Sequence, residues 1–321
     1  MRRTRLLRPA PSAEPTVSVH GAGGPERTAE REGNAGRGLP GRAVEDGRLV
    51  RLFPPLLGGA VVVVVATVAG GPAARSLLLG ASMLLLQLAV GALSGPVLSP
   101  RVSAGGREAP VRQPAAGIFA ARVAPAASAG AGLLLALAAG PPVVLLAAIA
   151  LAIGAWHALV ADGTRLSWVA PALWAPLLPV YGWLGVTSGL PSAFAVLVPG
   201  AALGAAGLAI ASSTVDLERD AAAARRSLAR ALGPVRAAEL VFAIEVAVAA
   251  LAVTSAWRLG AAGAWQTIAA AAAVVPVAGA LMGLAAAGRG PGAREVSFEL
   301  QAVGLGLLVV AWVNAVSLAP A

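Results

Sequence analysis

Residues 212–234 read S-S-T-V-D-L-E-R-D-A-A-A-A-R-R-S-L-A-R-A-L-G-P, and the fold is decided by how this charged stretch sits between long apolar runs. Asp216 and Asp220 are four residues apart. On a helix their carboxylates share one face, with Cβ atoms about 5–6 Å apart, a pairing that destabilises the helix unless something positive lies between them. One such partner is a hard divalent cation, since Mg2+ is commonly held by one or two carboxylates with substrate phosphates completing its shell. The other is internal: Arg219 follows Asp216 by three residues, and Arg225 and Arg226 lie just beyond. Taken alone, D-x-E-x-D reads first as a solvated helix; its setting in the chain is what changes that.

The setting is a membrane. Of 321 residues, 58% are hydrophobic and only 12% charged, with mean hydropathy +0.79, whereas soluble domains carry about 25% charged residues. Cysteine is absent, which excludes disulfides and thiolate metal sites. The net charge of +9 comes from arginine alone, because the chain contains no lysine. A basic balance can mark nucleic-acid binding, but these arginines fall in a tail and in loops between apolar runs, the placement a membrane protein gives them. No nucleic-acid partner is expected.

Residues 1–49 are rich in Arg, Gly, Pro, Ala and Glu and hold too little large apolar surface to fold alone. A disordered cytoplasmic tail is expected there, ahead of a transmembrane domain over 50–321. No apolar run follows Arg2 and Arg3 before residue 52, which argues against a cleaved signal peptide. From Leu52 onward nine apolar segments stand out, at about 53–70, 76–94, 123–140, 142–160, 167–187, 191–212, 236–257, 262–287 and 298–318. Most approach the ~20 residues a helix needs to cross a bilayer. The run Val61–Val65 would favour a strand in water, but a lone strand cannot satisfy its backbone in lipid, so helix is expected there too. Gly200 and Gly204, spaced G-x-x-x-G, suit close helix packing.

Arginine alternates between the connecting loops. Arg101, Arg107, Arg112 and Arg122 follow segment 2, Arg165 follows segment 4, five arginines from Arg219 to Arg236 follow segment 6, and Arg289 and Arg294 follow segment 8. The opposite loops hold only Arg75 and Arg258. The positive-inside rule then puts the N-terminus and the arginine-bearing loops in the cytoplasm and the C-terminus outside, in a multi-pass protein of the cell membrane. Asp162, Asp216, Glu218 and Asp220 share the arginine-bearing side.

Nine helices with an acidic motif after the sixth resemble the UbiA family of intramembrane prenyltransferases. Over D-L-E-R-D-A-A-A-A-R-R-S-L-A-R-A-L-G the match is to that family's second aspartate-rich motif, with Asp216, Glu218, Asp220, Arg226, Leu228, Leu232 and Gly233 in register. S-W-V-A-P-A-L-W-A-P-L-L-P-V-Y-G-W-L-G-V from Ser167 resembles the family's fifth helix, and the likeness covers about residues 52–318. It implies an all-α, nine-helix UbiA-like bundle in which Asp216 and Asp220 hold Mg2+, Arg226 contacts a polyprenyl diphosphate, and the prenyl group passes to an aromatic or other hydrophobic acceptor.

Two departures matter. Where the family's first motif, N-D-x-x-D-x-x-x-D, should follow Gln87–Gly91, this chain has Ser94, Gly95, Leu98 and Val102, and no carboxylate occurs between Leu52 and Glu108. After the fourth segment, His157 and Asp162 stand where the family has tyrosine and a pyrophosphate-facing lysine. Arg165 is a candidate replacement for that lysine, and Arg101 and Arg107 for the lost metal site, since guanidinium groups can bind phosphate oxygens directly. The expected function is thus a prenyltransferase with weakened or altered catalysis. The alternative is a non-catalytic protein that keeps the scaffold to bind an isoprenoid lipid or a partner; a transporter is a remoter third reading.

Among the remaining polar residues, Glu245 lies inside the seventh segment, where a carboxylate is costly enough to be either functional or a protonated, hydrogen-bonded core residue. Gln87, Tyr181 and Asn314 are expected to make interhelical hydrogen bonds. His157 has no partner for zinc, and the tryptophans, mainly near segment ends, fit interfacial belts.

Overall fold

The computed structural model describes residues 42–93, 115–222, 224–260 and 263–317. Every regular element among them is a helix: α1 (Arg42–Val68), α2 (Ala73–Leu93), α3 (Ala115–Ala139), α4 (Pro141–Trp156) with a π turn (His157–Ala161), α5 (Val169–Trp174), α6 (Leu177–Leu184), α7 (Phe194–Val215), α8 (Leu217–Ala222), α9 (Leu228–Leu232), α10 (Pro234–Arg258), α11 (Gly263–Ala286) and α12 (Pro291–Ser317). The chain divides between Asp46 and Gly47, inside α1, and the architecture that follows is that of the part from Gly47 onward. The positions expected for the first acidic motif, Ser94 to Val102, lie outside the described residues, as do Arg101 and Arg107.

Six stretches are long and apolar enough to cross a membrane: Ala73–Leu93, Pro141–Ala161, Phe194–Val215, Pro234–Arg258, Gly263–Ala286 and Pro291–Ala315. Pro55–Val68, Val123–Ala139 and Val169–Leu184 are apolar but shorter. Each expected segment falls on one of these stretches, and six of them meet the length of a crossing. Leu77, Leu134, Leu145, Val274 and Leu281 point outward, forming the kind of apolar surface that lipid covers and water does not. The chain is a multi-pass membrane protein. The valine run Val61–Val65 is helical, as the bilayer requires.

The segment expected as one helix over 167–187 is two. α5 ends at Trp174 and α6 starts at Leu177, with a turn at Ala175–Pro176. Pro176 and Pro179 each remove a backbone donor and crowd the preceding turn, so the ladder of this stretch cannot run unbroken. α4 ends in a wider π turn before the bend at Asp162–Trp168, and such turns recur at functional sites.

Packing sorts the helices into two groups. α2, α3 and α4 lie against one another, α10, α11 and α12 do likewise, and α7 packs on α10 and α12. α5 links the groups by lying against both α4 and α7. Small residues let the second group close. A Cβ on Gly204 would lie 3.0 Å from Leu305 Cδ2 of α12 and 3.8 Å from Val248 of α10. On Gly304 it would lie 2.5 Å from the Pro276 nitrogen, so α11 and α12 meet backbone to backbone. In the first group a buried hydrogen-bond chain does the joining. Ser82 Oγ donates to the Gly132 carbonyl at 2.7 Å, so its 2.6 Å contact with Tyr181 must be donated by the tyrosine hydroxyl. That chain ties α2, α3 and α6, which is the interhelical role expected of Tyr181. Asn314 instead donates to Val310 within its own helix.

Candidate functional site

The approach to the acidic motif is built by α7. Ser212 and Ser213 bond the Ala209 carbonyl at 2.8 and 2.9 Å, and Thr214 bonds Ala211 at 2.7 Å. These hydroxyls are satisfied by their own helix, a pattern that bends helix ends. At Asp216 the helix stops (φ −89°, ψ 9°) and α8 restarts at Leu217. Asp216 and Asp220 both line the mouth of one cavity of about 610 Å3, whose wall includes residues of α1, α2, α4, α5, α6, α7, α10 and α12. Its inner surface is apolar, carried by residues such as Leu57, Leu178, Leu197, Val248 and Leu305.

The middle acid of D-x-E-x-D turns away. Glu218 pairs with the Arg294 guanidinium of α12, which also donates to the Thr214 carbonyl at 2.6 Å. That bond holds the Glu218 carboxyl below its ordinary pKa. Glu218 is therefore a brace between the motif and α12, while the two aspartates face the cavity. This follows from helical spacing, because positions i and i+4 share a face that i+2 does not.

Asp220 is buried, and Asp216 is half-buried and paired with Arg219 at 2.7 Å. Burial pushes the Asp216 carboxyl above its ordinary pKa, Arg219 opposes the shift, and the Asp220 charge adds to it. Two hard oxygen donors on a cavity mouth suit Mg2+ that shares its shell with phosphate oxygens, rather than a cage made by protein alone. No group of three or more His, Cys, Asp or Glu able to hold a metal occurs among the described residues.

Of the arginines expected at the diphosphate, Arg165 is exposed in the turn between α4 and α5 and is not part of the cavity wall. Arg226 is also exposed; its backbone N–H donates to the Gly163 carbonyl at 2.8 Å. Among the described residues the arginine on the cavity wall is Arg225, whose Nη1 lies 3.6 Å from Asp162 Oδ1 and 3.9 Å from Asp220 Oδ1. Its neighbour Ser227 is buried on the same wall. The sequence signal was the doublet Arg225-Arg226; which of the two lies on the cavity wall is set by backbone geometry. α8 ends at Ala222, Ala224 adopts φ +52°, and residues 225–227 run without helix. With the helix ended there, Arg225 and Ser227 line the cavity while the Arg226 side chain is exposed and off its wall. Asp162, in sequence a reversal of charge at a lysine position, stands at the mouth as a partner of Arg225.

Other polar residues sort by the same wall. Gln87 and His157 line the cavity, and neither Gln87 Nε2 nor His157 Nδ1 has a hydrogen-bond partner among the described residues. Glu245 lies outside the cavity, wholly buried in α10, with Oε1 3.3 Å from where a Cβ on Gly207 of α7 would be. Its two oxygens are without hydrogen-bond partners among the described residues. Two tryptophans depart from the interfacial role. Trp174 and Trp312 line the cavity, and Trp312 is buried with its indole N–H donated to Ser255 Oγ at 2.6 Å.

No family model and no curated protein matches the sequence. Solved structures do match in fold. A structure described as a digeranylgeranylglyceryl phosphate synthase in membranes aligns at TM-score 0.61 and 13% identity, over 84% of this chain and 96% of that one. A UbiA homologue from Aeropyrum pernix K1 aligns at TM-score 0.61 and 18% identity, over 81% and 97%. A UbiA homologue from Archaeoglobus fulgidus, bound to DMAPP and Mg2+, aligns at TM-score 0.57 and 18% identity, over 81% and 98%. The chain thus has an all-α membrane fold like that of the UbiA homologues.

Proposed function

We propose that this protein is a UbiA-like prenyltransferase that takes a prenyl diphosphate, with Mg2+, at Asp216 and Asp220 and passes the prenyl group to a hydrophobic acceptor. The observation that carries the reading is the placement of both aspartates, and not Glu218, on the mouth of a large apolar cavity. Charge gathers at one end and hydrocarbon-compatible wall at the other, which matches a ligand with a diphosphate head and an isoprenoid tail. The Archaeoglobus fulgidus homologue was solved with DMAPP and Mg2+, and also with GPP and Mg2+. When bound, the ion would neutralise charge on the departing diphosphate. The chain itself would orient the allylic carbon inward, exclude water from it along the apolar wall, and leave room for the acceptor. In the transfer the allylic C–O bond breaks with its electrons going to diphosphate, and the acceptor bonds to that carbon and gives up a proton. The positive-inside distribution of arginine supports a mouth on the cytoplasmic face of the cell membrane.

A second reading is a non-catalytic isoprenoid-binding protein on the same scaffold. It is favoured by the absence of any carboxylate between Leu52 and Glu108, where the family's first motif belongs. One experiment separates the two. The full chain in lipid nanodiscs is given Mg2+ and labelled prenyl diphosphates of several lengths with a panel of apolar phenolic and isoprenoid acceptors. Prenylated product supports the transferase; tight, Mg2+-dependent binding with no product supports the binding protein. If labelled diphosphate does not bind in either condition, both readings fall.

A further inference from the structure

Arg225 sits at the centre of several independent features of the mouth. Its guanidinium stands between Asp162 and Asp220 at ion-pair distances of 3.6 and 3.9 Å, both too long for hydrogen bonds. Its stem passes over Gly163, where a Cβ would lie 3.2 Å from Arg225 Cγ and Cδ; Gly163 also has φ +70°, a conformation side chains resist. The residue before it, Ala224, holds φ +52°, left-handed backbone that a non-glycine residue adopts at a cost. Two residues on, Ser227 is 2% exposed and lines the cavity, yet its hydroxyl has no partner among the described residues. Ser227 opens α9, where a serine hydroxyl ordinarily caps a backbone N–H, and here makes no such bond.

We propose that Arg225 and Ser227 form the anion-binding half of this site, and that Arg225 also serves as the built-in counter-ion of Asp162 and Asp220. Arriving diphosphate draws the guanidinium onto its own oxygens, accepts the Ser227 hydroxyl, and frees Asp220 to meet a divalent cation. The site would then load in a fixed order, with diphosphate promoting cation binding. The geometry supports this over simple electrostatic bracing. A brace would hydrogen-bond its carboxylates, whereas this guanidinium lies 3.6 and 3.9 Å from them, on the same cavity wall as a buried hydroxyl with no partner among the described residues. The assignment deepens the proposed function and rests on it only for the identity of the ligand's tail.

The test uses the full chain in nanodiscs and two separate probes, Mn2+ read by electron paramagnetic resonance and inorganic pyrophosphate or geranyl diphosphate read by calorimetry. Arg225→Gln should weaken both diphosphates by about 10- to 100-fold, the range for losing a hydrogen bond to a charged group. The same change should tighten Mn2+ binding measured without diphosphate by a few fold, since Asp220 loses its competing cation. Ser227→Ala should weaken diphosphate by about 2- to 10-fold, as for a neutral hydrogen bond, and leave Mn2+ alone unchanged. Arg225→Lys, which keeps the charge, should recover part of the diphosphate affinity; this rescue and an unchanged elution volume set aside misfolding. If Arg225→Gln leaves diphosphate affinity intact, or Arg226→Gln causes the loss instead, the assignment is wrong. Mn2+ affinity unmoved by Arg225→Gln removes the counter-ion role. Wild-type protein that binds pyrophosphate through Arg225 but rejects geranyl diphosphate overturns the prenyl reading and leaves this one standing.

Discussion

The three acids of D-x-E-x-D make different predictions, and the difference comes from geometry alone. Asn and Gln replace these carboxylates at nearly constant shape, so each substitution removes a charge with little change in packing. Asp220 is buried on the mouth and its nearest cation, Arg225, is 3.9 Å away, so its charge is available to a ligand. Losing one charge-assisted contact there costs about 1.5–3 kcal/mol, or roughly 10- to 150-fold in affinity. Asp220→Asn should therefore weaken Mg2+-dependent binding of geranyl diphosphate by at least tenfold. Asp216→Asn should weaken it less, because Asp216 already shares its charge with Arg219 at 2.7 Å. Glu218→Gln should hardly touch affinity, since that carboxylate serves Arg294 and faces away from the cavity. Its effect should appear in thermal stability, by loosening α12 from the motif. Calorimetric titration in nanodiscs with and without Mg2+, with a thermal midpoint for each variant, measures all of this. If Glu218→Gln weakened binding most, or if the parent protein bound equally without Mg2+, the assignment of faces would fail and a solvated helix would be the better account.

Three further outcomes can be checked. Asp216 has its pKa raised by burial and must be ionised to bind a cation, so Mg2+-dependent binding should fade on acidification at a pH above the ordinary aspartate range. Arg219→Gln removes the opposing charge and should move that midpoint higher; a lower midpoint would contradict the cause given. In the helix core, Tyr181→Phe removes one buried hydrogen bond and should cost about 0.5–1.5 kcal/mol, while Ser82→Ala removes two and leaves the Tyr181 hydroxyl without its acceptor, and should cost more, in steric-trap or denaturant unfolding; equal costs would show that water or lipid reaches these groups. Because the chain has no cysteine, single cysteines at Ala222 and Ser188 can be labelled without background. Ala222 should react only from the cytoplasmic side and Ser188 only from outside, and the reverse would invert the proposed orientation.

What could be read from sequence is what local physics dictates. Apolar runs in a chain this poor in charge must become helices, because lipid offers the backbone no other partner, and each apolar segment falls on a helix or, for 167–187, on two. The facing of Asp216 and Asp220 was likewise readable, since a spacing of four fixes one helical face. The break between α5 and α6 was signalled by Pro176 and Pro179 but outweighed by the apolar length of the run. Other features depended on chain that is far away or no longer helical. Glu218 and Arg294 are 76 residues apart, so neither predicts the other. Trp312 sits near a segment end, which suggested an interface; only the packing of α10 against α12, with Ser255 to receive its N–H, makes it a cavity wall.

The choice between Arg225 and Arg226 is the most instructive of these. Register with a family motif points to Arg226, whereas a helix continued past Ala222 gives no sign that Arg225 is the one of the pair on the cavity wall. Past Ala222 the helix has ended and Ala224 is left-handed, and it is Arg225 and Ser227, not Arg226, that line the cavity. Asp162 then changes meaning as well. In sequence it is an acid in place of a lysine and counts against phosphate binding; in the fold it shares Arg225 with Asp220 across the mouth. The charge at that wall is thus supplied from the second acidic motif's own loop rather than from the turn after α4. That relocation offers a way for a chain without carboxylates at the first motif to grip a diphosphate, through a guanidinium and a hydroxyl in addition to a cation. Whether the grip suffices for turnover depends on how well fixed dipoles replace an ion as charge develops, and removing one preorganised contact of that kind typically costs about 10²–10³ in rate. A chain that binds diphosphate through Arg225 yet turns over slowly would be the expected consequence.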